Sequence, residues 1–133
     1  TEKNLRMILN FGHTFAHGFE GAKNFSKSLN HGEAVLLGMM IASELSYKKK
    51  LLSLDELVLI KSHYNLLKLP NNISKVFKKN QINKIIYFMK KDKKNNDEKI
   101  NLILLNKIGK TTKPMSFNSN SKEVKKFLLS YYK

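Results

Sequence analysis

Three of the four histidines of this 133-residue chain fall between positions 13 and 31. In "NFGHTFAHGFE" (10–20), His13 and His17 stand four apart. On a helix that spacing turns both rings to one face, within reach of a single ion or small ligand. Two imidazoles from one turn plus a third group from elsewhere can build an open zinc site. The same pair can equally be a hydrogen-bonded structural element, so spacing alone leaves metal binding, proton transfer and core filling open. The zincin form His-Glu-x-x-His is ruled out, because Thr14 stands where the glutamate belongs. His31 begins "HGEAV" (31–35) and falls in a first helical turn, where the helix dipole keeps an imidazole neutral and able to ligate. Arg6 and Asn10 precede His13 by seven and three residues, bringing a cation and an amide toward the same face. Together these residues suit an anionic, hydroxylated small molecule held beside a metal.

The elements that must position them are mainly helical. Leu5, Ile8, Leu9, Phe11, Phe15 and Phe19 recur at helical spacing over 5–22, and Gly12 and Gly18 within that stretch each need a packing or close-approach reason. With Ala16 and the flanking Phe11 and Phe15, they suggest a dry pocket approached closely by backbone. Asn30 and Glu33 form a capping box before an apolar helix over about 31–50, a role that suffices for Glu33. Ser53 and Glu56 start a helix over 54–67, and further helices are expected at 73–79 and 81–90. "KKDKKNNDEK" (90–99) reads as a charged loop. "INLILLNKIGKTTKP" (100–114) reads as one or two short strands turning at Asn106–Lys107 or at Gly109, and "SFNSNS" (116–121) as a polar linker. Asn120 and Glu123 cap a last helix over about 121–132. The expected fold class is mainly α, with a small β element near residues 100–113, as a single domain spanning 1–133.

Composition narrows the chemistry. The absence of cysteine excludes disulfides and thiolate zinc sites, so a metal must be held by His, Asp, Glu or a group from outside the chain. The longest apolar run, "AVLLGMMIA" (34–42), is far short of the ~20 residues that span a bilayer, and no signal peptide opens the sequence. A soluble cytoplasmic protein is expected. The net charge of +15 is lopsided: residues 1–60 hold seven Lys/Arg against six Asp/Glu, and 61–133 hold eighteen against four. That raises nucleic-acid binding as a different class of function. Against it, the sequence has one arginine, the residue best suited to bidentate base and phosphate contacts, and Lys, Asn and Ile supply 49 positions, as a compositional bias would.

The motifs have a recognisable order. "LRMILNFGHTFAHGFE", then "LNHGEAVLLGMMIASELS", then "MKKDKK" ahead of "INLILLNKIG" resemble the dehydroquinate synthase family of sugar phosphate cyclases over about residues 2–113. Two small residues depart from the family's pattern: Ala16 stands where Gly is usual and Gly18 where Ala is usual. The resemblance implies the helical carboxy-terminal domain of that fold, with an amino-terminal NAD-binding α/β domain absent from this chain. It implies that His13 and His31 are two of three ligands to Zn2+, or to another divalent metal such as Co2+, the third being a glutamate of the absent domain. His17 then leaves the ligand set and becomes a catalytic histidine at the substrate and its departing phosphate. Arg6 and Asn10 become substrate-binding residues. In the Asp-Lys-Lys loop Lys94, in preference to Lys93, closes over the substrate as the catalytic lysine, with Lys93 counted among the substrate contacts.

The implied reaction is that of an NAD- and zinc-dependent carbon–oxygen lyase of the shikimate pathway, on the route to chorismate and the aromatic amino acids. A ring hydroxyl of 3-deoxy-D-arabino-heptulosonate 7-phosphate is transiently oxidised by NAD+, phosphate is eliminated, the ketone is reduced, and the ring recloses as 3-dehydroquinate. The resemblance further implies a homodimer, no nucleic-acid or membrane partner, and an isolated chain that is inactive. The runner-up is another sugar phosphate cyclase, or a metal-dependent alcohol or glycerol dehydrogenase; a basic helical nucleic-acid-binding module is the second alternative. His63, among lysines, is expected at the surface.

Overall fold

The computed structural model describes residues 12–24, 28–91, 99–107, 110–111 and 117–132. Among these residues five α-helices carry the architecture. Helix α1 (His13–Ala22) follows Gly12. Helix α2 (His31–Lys48) opens on the anticipated reciprocal cap: Asn30 Oδ1 accepts the Glu33 N–H at 2.8 Å, and Glu33 Oε1 accepts the Asn30 N–H at 3.0 Å. This fixes the first turn of α2, and therefore the backbone of His31. Helix α3 (Leu54–Leu67) starts at Ser53, whose hydroxyl accepts the Glu56 N–H at 3.2 Å, and stops at Lys68 in the left-handed region (φ 56°), two residues before Pro70. Helix α4 (Ile82–Lys91) and helix α5 (Ser121–Leu129) complete the set, α5 capped by Asn120 Oδ1 on the Lys122 N–H at 2.8 Å.

Two expectations change. The helix anticipated at 73–79 is instead a pair of single 3₁₀ turns, Ile73–Lys75 and Lys79–Gln81. Asn72 Oδ1 takes both the N–H and the hydroxyl of Ser74, which closes a tight turn rather than a longer helix. The β element is larger than expected. Strand β1 (Lys99–Leu102) pairs antiparallel with β4 (Phe117–Asn120), Ile100 opposite Ser119, while β2 (Leu105–Lys107) pairs with β3 (Lys110–Thr111). Most of the stretch read as a polar linker is thus a strand. "FNSN" lacks the apolar alternation that marks a strand; its ladder with β1 holds it.

The core runs between the helices and the small sheets. Phe15, Phe19, Leu37, Ile41, Ile73, Ile85, Met89, Ile100 and Leu104 are fully buried. Phe19 bridges outward to Phe77, ring centroids 5.5 Å apart. Ser46, fully buried on α2, donates to Ala42 O at 2.6 Å and accepts the Leu105 N–H at 2.9 Å, tying β2 to the helix without an orphaned polar atom. Among the described residues no helix is long and apolar enough to cross a membrane.

Two tyrosines anchor α2 to its neighbours. Tyr64 of α3 donates to Leu36 O at 2.6 Å, and Tyr131 donates to Glu44 Oε1 at 2.7 Å, a carboxylate that also meets Lys61 Nζ at 3.2 Å. Burial pushes the Tyr64 hydroxyl up to about 12, and burial together with the Glu44 charge pushes Tyr131 up as well. A group raised on folding stabilises fully below its unfolded value near 10, and loses that contribution as pH climbs through the folded value. Stability is therefore expected to fall between pH 10 and about 12. Tyr64→Phe should cost about 1 kcal/mol at neutral pH through the lost hydrogen bond, yet flatten that alkaline decline. Urea denaturation at pH 7, 10 and 11 checks both; an alkaline slope equal to that of the unaltered chain contradicts the assignment.

Candidate metal and substrate site

At about 100° per residue, α1 presents distinct faces, and its small residues set them. A Cβ on Gly12 would lie 2.6 Å from Met39 N, so backbone of α2 touches this face, which continues through buried Ala16. A Cβ on Gly18 would lie 2.9 Å from Ile85 O, and one on Gly21 would strike the Phe88 ring, so α4 closes the opposite side. Phe15, Phe19 and Ala22 fill the core face. What approaches these glycines closely is helix backbone and core side chains, so packing between helices accounts for them without a ligand.

The remaining face of α1 carries His13, His17 and Glu20 at i, i+4 and i+7, and all three are half-buried. His31, at the start of α2, comes over this face. Its ring lies edge-to-face against that of His13, with centroids 6.1 Å apart and planes at 82°. Its Nδ1 lies 3.2 and 3.3 Å from the two carboxylate oxygens of Glu20. Because Gly12 meets Gly38 while Glu20 meets His31, the two helices run antiparallel, and the His31 ring reaches both Glu20 and His13 on this face of α1.

Of the residues singled out from sequence, the structure brings His13 and His31 to one place and sets His17 one turn further along α1. Arg6, Asn10, Lys93 and Lys94 lie outside the described residues. Glu33 is occupied by its cap, and His63 is exposed on α3, as anticipated. Glu20 is the residue that sequence reasoning missed. The signal was present, since i+7 from His13 and i+3 from His17 puts its carboxylate on the histidine face.

Two imidazoles sharing a tetrahedral zinc at about 2.0–2.1 Å per nitrogen have centroids roughly 5 Å apart. The His13–His31 pair is about 1 Å wider. A carboxylate only accepts, so a neutral His31 that hydrogen-bonds Glu20 through Nδ1 carries its hydrogen there and has Nε2 as its donor atom for a metal. The donor set thus fits a divalent ion completed by a further ligand. No group of three or more His, Asp or Glu suited to a metal occurs among the described residues.

The arrangement of helices is one found in solved structures of another enzyme. Two structures of 2-deoxy-scyllo-inosose synthase superpose on the chain. One, complexed with carbaglucose-6-phosphate, NAD+ and Co2+, gives a TM-score of 0.67 at 21% identity over 91% of this chain and 32% of that one. The other gives 0.64 at 20% identity over 91% and 31%. Residues 1–95 match the family model described as 3-dehydroquinate synthase C-terminal, and the chain belongs to that family. Among curated relatives, the 3-dehydroquinate synthase of Pelagibacter ubique is 49% identical over 120 residues, covering 90% of this chain and 33% of the relative. That of Dictyoglomus thermophilum is 42% identical over 109 residues, covering 82% and 29%. The chain spans about a third of the length of the curated relatives it matches.

Proposed function

We propose that this chain is the helical, metal- and substrate-binding part of a 3-dehydroquinate synthase, acting with an NAD-binding α/β domain of the kind its longer relatives have room for. The observation that carries the proposal most directly is the meeting of His13 and His31 across two antiparallel helices, within a chain of this family. His13 and His31 hold a divalent ion, zinc or cobalt, with a carboxylate from the partner domain as third ligand. Bound there, the metal polarises a substrate hydroxyl or ketone oxygen as a Lewis acid, and NAD+ serves as the transient hydride acceptor.

The chain's own residues do the remaining work. His17, one turn from His13 and half-buried, contacts the substrate and exchanges a proton with the departing phosphate. Arg6 binds an anionic group of the sugar phosphate and Asn10 a hydroxyl or phosphate oxygen, while Lys94, with Lys93 beside it, closes over the substrate. Holding the reacting ring in one pose is the main contribution of these contacts. The relative crystallised with a sugar phosphate analogue, NAD+ and Co2+ supports the same three-component site here.

The test is turnover of 3-deoxy-D-arabino-heptulosonate 7-phosphate. The 133-residue chain alone is expected to be inactive. Joined behind the amino-terminal portion of the Pelagibacter ubique relative, it is expected to release phosphate and form 3-dehydroquinate. Turnover by the isolated chain contradicts the division of the site between two domains. A joined protein that releases phosphate only from a different sugar phosphate favours another cyclase of the same fold.

A further inference from the structure

The face of α1 that carries the two histidines also carries a carboxylate, Glu20. Among the described residues Glu20 pairs with His31 alone, through both of its oxygens, at 3.2 and 3.3 Å to Nδ1. Its position does not help its own helix: α1 ends at Ala22, so Glu20 lies in the last turn, where a negative charge opposes the helix dipole. The two partners also differ in freedom. The His31 side chain is 69% exposed, while that of Glu20 is 22% exposed on a helix locked between α2 and α4 through Gly12, Gly18 and Gly21. An exposed imidazole on a first helical turn samples several rotamers and both tautomers unless something fixes it. Here the fixed partner is the carboxylate.

We infer that Glu20 is a positioning residue for the metal. Its carboxylate holds His31 in the Nδ1–H tautomer and turns Nε2 toward His13, so that the two ligand nitrogens are organised before the ion arrives. Carboxylate–histidine pairs of this kind fix ring orientation and raise ligand basicity, and their loss typically lowers metal affinity about 10- to 100-fold. The inference rests on His31 being a ligand, as proposed above, and the experiment separates the two.

Co2+ alone is titrated into the full chain and into Glu20→Ala, Glu20→Gln and His31→Ala, following the visible absorption of the bound ion. Circular dichroism of each variant checks the fold. The expected result is a 10- to 100-fold loss for Glu20→Ala and a smaller loss for Glu20→Gln, whose amide oxygen still accepts from Nδ1–H. Nitrogen-15 NMR of the metal-free chain at about pH 8, above the ordinary imidazole range, provides a second readout. It is expected to find His31 protonated at Nδ1, and a tautomer mixture in Glu20→Ala. If His31→Ala loses the ion while Glu20→Ala binds it as the unaltered chain does, the positioning role is overturned and the ligand assignment stands. If His31 carries its proton on Nε2 in the unaltered chain, the inference also fails. If His31→Ala itself binds Co2+ unchanged, the ligand assignment falls and takes this inference with it.

Discussion

His13→Ala and His31→Ala are each expected to lower affinity for Co2+ by more than about 100-fold, beyond the loss typical of an outer-shell partner, whereas His17→Ala keeps the ion. Removing one of two ligands supplied by the chain leaves a single imidazole, which cannot compete with water for a divalent cation. His17 sits on the same helix face but, in this account, works on the substrate. In the protein joined to an NAD-binding domain, His17→Ala should therefore retain its metal and lose turnover by about 10²- to 10⁴-fold, the usual contribution of a positioned proton donor or acceptor. Absorption titration and phosphate release read the two effects separately. An equal loss of metal in all three variants contradicts the assignment of His17.

The second large effect is on stability. Gly38 lies in the middle of α2, where a Cβ would collide with the Gly12 carbonyl oxygen and stand 3.1 Å from Ala16 N. All of these obstacles are backbone, so relief requires α1 to move away from α2. Gly38→Ala is expected to cost about 3 kcal/mol, at the upper end of the penalty for overfilling a packed interior. The same displacement carries His13 away from His31 and weakens metal binding. Gly32, on the same helix, provides the control: a Cβ there meets only Asn30 Oδ1, at 3.4 Å. Gly32→Ala should be neutral or stabilise by up to about 1 kcal/mol, as alanine does elsewhere in helices. Urea denaturation of both variants decides it; similar stabilities would mean that α1 and α2 do not approach as described.

Much of this was legible in the sequence because local chemistry writes it there. Asn30, Glu33 and Ser53 announce helix starts through side chains that can reach only their own first turn, and the structure has those caps. Elements held by tertiary contacts were harder to read. The polar strand Phe117–Asn120 exists because it pairs with Lys99–Leu102, and no residue within it says so. The 73–79 stretch has helical periodicity but yields to the tight turn that Asn72 makes with Ser74.

The site divides in the same way. The histidines and their spacing were visible, but spacing favoured His13 and His17 as a matched pair. The partner of His13 is His31, eighteen residues on, and only the packing of α2 on α1 makes them neighbours. Resemblance to the family supplied that pairing; periodicity did not. The glycines were legible as crowded positions, yet what crowds them is the backbone of two other helices, which a linear sequence does not display. Glu20 was overlooked because its significance comes from an imidazole on another helix.

The most direct measurement is X-ray absorption at the metal edge of the cobalt- or zinc-loaded protein joined to its NAD-binding domain. Two imidazole nitrogens per ion at about 2.0–2.1 Å, falling to one in His13→Ala or His31→Ala and remaining two in His17→Ala, is the result expected here. Three imidazoles per ion, or a loss of one in His17→Ala, would contradict it.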